Sequence, residues 1–229
     1  MAGRETLDLK GFLSDLAEDD RAHLAARMST RVYKNNEVIL AADDTSRSLY
    51  VLLEGRAVAT LYSEDGKMIA YRDLSAGDIF GELSAIDALP RSTFVVARGA
   101  VQAGVLAVEE FDRLLTSSPS FARQIVLHLT DSVRRMTDRL FEATTLLVRE
   151  RLIVELMRRG REIDGEADRI HLGPLPTHAD LAAYIGTHRE AITRELGYLD
   201  KRALIVRNNK HVEILSMTAM EAELHRRLT

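Results

Sequence analysis

The chain has 229 residues, with 31 Lys and Arg against 35 Asp and Glu, a formal net charge of -4 and no cysteine. The length suits one large or two ordinary domains, and 46% hydrophobic with 29% charged residues is the composition of a soluble globular protein. Without cysteine there are no disulfides, zinc–thiolate sites, cysteine-ligated iron–sulfur clusters or thiol redox sensors, and the mildly acidic balance means that any nucleic-acid binding must rest on a local surface.

The N-terminus, Met1-Ala2-Gly3-Arg4-Glu5, has no signal-peptide core, and no apolar run approaches the length of a bilayer span. The expectation is a cytoplasmic protein with no membrane partner. From 9 to 28, Phe12, Leu13, Leu16, Leu24, Ala25 and Met28 recur at helical spacing around a polar Glu18-Asp19-Asp20 break, which predicts two short helices. After Val32 the pattern turns to short β segments, including 38–40 and 49–53, punctuated by Gly55, Gly66 and Gly77. Asp65-Gly66 between 57–62 and 68–74 predicts a hairpin turn. Regular strands with glycine turns predict a β-barrel or jelly-roll-like sandwich. The strands resume at 94–96 and 101–106, after an interruption where a ligand site is expected.

That interruption carries Phe80-Gly81-Glu82-Leu83 and then Pro90-Arg91-Ser92. A helical turn opening at Gly81, Glu82 and Leu83 would aim unpaired backbone N–H groups at an anion, and Gly81 would let a ligand approach closely. Arg91, on an exit stiffened by Pro90, can return a guanidinium fork to the same anion; Ser92 adds a hydroxyl. Glu82 would repel a phosphate unless it accepts from something else, and a ribose 2′-hydroxyl is the natural donor. With the arginine nine positions after the glutamate, the stretch closely resembles the phosphate-binding cassette of cyclic-nucleotide-binding domains. The resemblance implies that Glu82 holds the ribose 2′-hydroxyl, while Arg91, Ser92 and the turn amides hold the cyclic phosphate.

Residues 108–115 return to helix, and Pro119 sets the start of a longer one. Val126, Leu129, Val133, Met136, Leu140, Ala143 and Leu147 then recur in alternating steps of three and four, a heptad seam that asks for a partner helix. Ile125 and Phe141 lie off the seam, so one face can pack on the β-domain and the other on a second copy; a homodimer through this helix is expected. His128 lies off the seam too, on a face read as exposed.

A second domain starts near 151, and Gly160, Gly165, Pro174 and Pro176 mark the loops that follow its first helix. Thr177 with Asp180, and Thr187 with Glu190, are capping-box-like helix starts, and Gly186 stops the first of these helices. Two short helices around a glycine turn make a helix-turn-helix. Leu181, Ala182, Ile185, Ile192, Leu196 and Leu199 form its inner face, leaving Arg189, Glu190, Thr193 and Arg194 outward. Glu190 also suits an i,i+4 pair with Arg194. Residues 203–206 and 211–215 predict a two-stranded wing.

This half is similar to the winged helix-turn-helix of the cyclic-AMP receptor protein/FNR superfamily, so the resemblance covers nearly the whole chain. It implies an α+β protein: a β-roll cyclic-nucleotide domain over 1–120, a long dimerisation helix and hinge over 121–150, and a winged helix-turn-helix domain over 151–229. By carry-over, Arg189, Glu190 and Arg194 occupy base-reading positions, where arginine suits guanine and glutamate accepts from cytosine. Thr177, Thr187, His188, Arg207 and Lys210 are candidate phosphate contacts. Met136 and Thr137 fall where the family meets the base of the nucleotide; Met136 cannot accept a strong hydrogen bond and Thr137 both donates and accepts, so these residues leave the base open, and the resemblance favours cyclic AMP with cyclic GMP the alternative. The implied partners are double-stranded DNA, the cyclic nucleotide, a second copy of the chain and RNA polymerase, with no metal, other cofactor or catalytic residue. The competing expectations are a different effector, haem among them, or none. An enzyme regulated by the cassette lacks a nucleophile–base set, metal cluster or phosphate loop.

Overall fold

The computed structural model describes residues 11–64, 68–164, 167–208 and 211–226. The expected Asp65-Gly66 turn, Gly165 and Lys210 lie outside them. The chain is an α+β protein divided into two compact units, Met1–Arg134 and Arg135–Thr229.

The first unit is a roll of two four-stranded antiparallel sheets. Its strands are β1 (Ser29–Tyr33), β2 (Val38–Leu40), β3 (Leu49–Glu54), β4 (Arg56–Tyr62), β5 (Met68–Ser75), β6 (Ile79–Phe80), β7 (Phe94–Ala97) and β8 (Val101–Leu106). One sheet runs β1-β8-β3-β6 and the other β2-β7-β4-β5. The alternation of side chains along a strand explains the layering. In β3, Tyr50 and Leu52 enter the core between the sheets with Leu40, Ala59, Leu74, Phe80 and Val95. Leu49 and Val51 point the other way, into a second core under the helices. A strand buried on both faces reads as an unbroken apolar run, and each such Leu or Val contributes about 1.5–3 kcal/mol.

The helical cover comprises a 3-10 turn (Gly11–Leu13), α1 (Glu18–Arg27), α2 (Glu82–Asp87), α3 (Val108–Ser117) and the start of α4 (Pro119–Thr145). Phe121 anchors it, meeting the rings of Phe12 and Phe111 edge-on at 5.9 Å each. Of the two expected N-terminal helices only the second forms as an α-helix. Glu18, Asp19 and Asp20 are its first turn rather than a break, since acidic groups favour the positive end of the helix dipole. Asp20 is buried and accepts from Ser118 Oγ, at 2.7 Å, and from Ser120 Oγ, which ties α1 to the start of α4.

Proline at the first position of α4 forfeits no helical bond. Phe121 and Ile125 face the core, while the seam residues Val126, Val133, Met136 and Leu140 stand 60%, 64%, 56% and 66% exposed. Leu129, the seam residue between Val126 and Val133, packs against the core instead, so the exposed apolar stripe is interrupted there. Leu147 lies past the end of α4, where its amide donates to Glu150 Oε2 at 2.7 Å and opens α5 (Val148–Ile163).

The second unit packs α5 against β9 (Ile170–Pro174), α6 (His178–Ile185), α7 (Arg189–Lys201) and α8 (Met217–His225). The wing has three strands, not two: β10 (Ile205–Asn208), β11 (His211–Ile214) and β9 form an antiparallel sheet in the order β10-β11-β9. Gly160 is inside α5 and not in a loop. Ile170, Ile214 and Met217 close over it, at distances where a Cβ would make ordinary van der Waals contact, 3.4–3.5 Å. Glu155, almost wholly buried on α5, receives Arg158 at 2.7 Å, Arg159 at 2.9 Å and Arg139 of α4 at 3.1 Å. Arg139 also donates to the Tyr184 carbonyl at 3.1 Å, fixing the last turns of α4 to α6.

Candidate effector and nucleic-acid sites

The cassette is built where β6 runs beside β3, with Tyr50 opposite Phe80, and gives way to α2. Gly81 is the hinge, in the left-handed region at φ 81°. Glycine is required there twice over, since a Cβ would also lie 2.6 Å from Arg91 Nη1. The loop after α2 returns Pro90 and Arg91 to the β2–β3 connection through two backbone bonds, Arg91 N to Asp44 O at 2.8 Å and Asp43 N to Arg91 O at 2.9 Å.

Arg91 is not the free fork that the sequence suggests. It is 2% exposed, with Nη1 donating to Gly81 O and Nη2 to Ser48 O, both at 2.7 Å, and Nε to Ser46 Oγ at 3.3 Å. Burial pulls its pKa down, opposed by Tyr50, Asp44 and Glu82. Ser92 and Leu83 are exposed. Arg47, which sequence reasoning passed over, donates to the Ser84 and Ala85 carbonyls at 3.3 and 3.2 Å, so a second guanidinium braces α2.

Glu82 is buried and faces a histidine. Its Oε1 lies 3.5 Å from Nε2 of His128 on α4. Burial pushes the carboxyl pKa up, but His128, the residue's own amide and Arg72 together hold it below the ordinary glutamate value. His128 is therefore not on an exposed face: its side chain is 10% exposed and its ring meets Phe12 edge-on at 6.3 Å. The signal was present in the sequence, because His128 follows Phe121 and Ile125 by seven and three positions, which is the inner face of the helix. Met136 and Thr137 are exposed on α4 beyond Arg134, within the second unit.

In the second unit α6 and α7 meet as a helix-turn-helix. Thr177 caps α6 by a reciprocal pair of bonds: Asp180 N donates to Thr177 Oγ1 at 3.1 Å and Thr177 N to Asp180 Oδ2 at 3.3 Å. Gly186 ends α6 in the left-handed region at φ 67°. The expected second capping box does not form. His188, not Thr187, is the N-cap of α7, and Thr187 instead donates its amide to Ala182 O at 2.9 Å. Glu190 consequently sits inside the first turn of α7 and does not pair with Arg194, whose Nε contacts Glu195 at 2.9 Å. Glu195 is buried and also takes Arg149 at 2.7 Å. Leu181, Ala182, Ile185, Ile192, Leu196 and Leu199 are all buried, and Arg189, Glu190, Thr193 and Arg194 all exposed. His178 Nδ1 lies 2.8 Å from Thr193 Oγ1, and burial, Arg207 and Arg189 depress its pKa. A neutral imidazole here joins the two helices and adds no cation. Among the described residues no cluster of three histidine or carboxylate side chains is placed to hold a metal, and no helix is long and apolar enough to cross a membrane.

A roll with a cassette at a strand-to-helix break, followed by a winged helix-turn-helix, is the domain pairing of a transcriptional regulator. Residues 30–118 match the cyclic nucleotide-binding domain family and residues 150–223 the Crp-like helix-turn-helix domain family. The chain belongs to the cyclic-AMP receptor protein/FNR superfamily of transcriptional regulators. Over 104 residues it is 28% identical to a cAMP-dependent protein kinase regulatory subunit of Blastocladiella emersonii, a match that takes in 45% of this chain and spans 26% of that protein's length. Over 183 residues it is 21% identical to the cAMP-activated global transcriptional regulator CRP of Pasteurella multocida, covering 80% of this chain and 88% of that one. The c-di-GMP responsive global regulator CLP of Xanthomonas campestris shares the fold with a TM-score of 0.76 at 18% identity, over 87% of this chain and 99% of that one.

Proposed function

We propose that the protein is a cytoplasmic, homodimeric transcriptional regulator and not an enzyme, which binds a cyclic purine nucleotide, cyclic AMP in preference to cyclic GMP, and in response binds a palindromic DNA site. The observation that carries this reading is the convergence of an ionised, buried Glu82 and a buried Arg91 on the single turn at Gly81. Residues 1–120 serve as sensor, 121–150 as dimer helix and hinge, and 151–229 as DNA reader. Glu82 accepts from the ribose, while Gly81, Leu83, Arg91 and Ser92 surround the phosphate. Met136 and Thr137 on α4 meet the base. The exposed seam of α4 supports the dimer. In a dimer two α7 helices read half-sites about one helical turn apart: Arg189, Glu190 and Arg194 reach base edges, with Thr177, Thr187, His188 and Thr193 at the backbone. A ligand shifts such an equilibrium only through its greater affinity for the DNA-competent arrangement.

One observation favours a second reading, a regulator of the same fold that answers to another effector or to none. Both charged groups of the cassette already face groups of the fold itself, Arg91 the carbonyl oxygens of Gly81 and Ser48 and Glu82 the His128 ring. Calorimetric titration of the full chain with cyclic AMP and cyclic GMP separates the two, with Arg91→Lys as control because it keeps the charge. Binding of either nucleotide, weakened in the control, supports the first reading. Absence of heat with both supports the second.

A further inference from the structure

His128 is nine-tenths buried, yet its Nε2 makes no hydrogen bond of normal length. Phe12 fixes the ring from one side. Nε2 is directed at Glu82 Oε1, 3.5 Å away. Arg72, a cation that also acts on this carboxylate, donates to Asp78 Oδ1 at 3.2 Å and to the Ile79 carbonyl at 3.4 Å. Among the described residues, His128 is the side chain aimed at the Glu82 carboxylate.

We propose that His128 is a positioning residue for Glu82: standing 3.5 Å from one carboxylate oxygen, it closes to a hydrogen bond when the other oxygen accepts from a ligand hydroxyl, and so sets the preference for a nucleotide that keeps its ribose 2′-hydroxyl. This rests on the cyclic-nucleotide reading above. A carboxylate is an acceptor on both oxygens, so a partner on Oε1 does not exhaust it. A buried carboxylate without a partner takes up a proton instead, and a protonated carboxyl no longer demands a donor from the ligand. His128 prevents this and fixes the orientation of the group.

The test compares affinities for cyclic AMP and 2′-deoxy cyclic AMP in the unmodified chain, in His128→Leu and in His128→Gln, with thermal melts to establish that each variant is folded. The unmodified chain should prefer the ribonucleotide by about tenfold or more, the effect of one hydrogen bond to a charged group. His128→Leu should lose most of that preference through weaker cyclic AMP binding, with the deoxy ligand unchanged. His128→Gln, which keeps an N–H donor, should restore part of it and serves alone if the leucine variant does not fold. An unchanged preference in these variants, equal weakening of both ligands, or tighter cyclic AMP binding would overturn the assignment. So would an unmodified chain that binds both ligands equally. An unmodified chain that binds neither nucleotide would overturn the cyclic-nucleotide reading itself, before any substitution is made.

Discussion

Replacing Arg91 by alanine should destabilise the first unit even when no nucleotide is present. The guanidinium is buried and donates two 2.7 Å bonds to the carbonyls of Gly81 and Ser48. Each carbonyl left without a donor costs about 1–3 kcal/mol, partly offset because a desolvated cation is no longer kept from water. The net loss expected is about 2–4 kcal/mol, or a fall of about 10 °C in the melting transition of a unit this size. Arg91→Lys, whose single ammonium does not span both carbonyls, should lose about 1–2 kcal/mol. Differential scanning calorimetry of the ligand-free chain reads both. An alanine variant within about 0.5 kcal/mol of the parent, the range of an ordinary surface change, would refute the structural role given to Arg91. The same reasoning makes loss of ligand binding in Arg91→Ala uninformative by itself.

Glu155→Gln strips the counter-charge from Arg139, Arg158 and Arg159 and should destabilise the second unit by about 2–3 kcal/mol, the low side of a broken buried pair because the arginines keep some solvent; an unshifted denaturant midpoint would contradict it. Arg189→Ala should weaken specific DNA binding by about 1–3 kcal/mol and relax preference at one base pair, whereas equal weakening on every sequence would make it a phosphate contact. The pKa of Glu82 is lowered on folding, so its contribution to stability is complete above the ordinary glutamate value of about 4.3 and is lost as pH falls through the lower folded value. Glu82→Gln should therefore melt below the parent at neutral pH and converge with it at acid pH. Parallel melting curves across that range would contradict this.

The parts of the fold that repeat were legible in the sequence. The unbroken apolar run of β3, the three-and-four spacing along α4 and the Thr177 to Gly186 frame of α6 each follow from neighbours in the chain. What escaped depended on distant partners. Gly160 looks like loop punctuation until the ends of Ile170, Ile214 and Met217 are seen closing over it. The third strand of the wing, β9, alternates buried Ile170, exposed His171 and buried Leu172, but its place in the sheet depends on pairing with the distant β11. Arg91 carries the motif of a ligand clamp, but its present bonds go to Gly81 and Ser48, and the latter lies 43 positions away. His128 belongs to a shorter run, Phe121, Ile125 and His128, on the face of α4 next to the longer seam, and three positions are a weaker signal than seven.

The account's central claim is that a cyclic nucleotide controls reading of a symmetric DNA site, and the most direct test is selection of bound sequences from random double-stranded DNA by the full chain, with and without saturating cyclic AMP. The account predicts that one two-fold symmetric sequence, with half-sites about one helical turn apart, is enriched when the nucleotide is present and not when it is absent. Equal enrichment in both conditions would contradict nucleotide control, and enrichment of a sequence without two-fold symmetry would contradict the dimer.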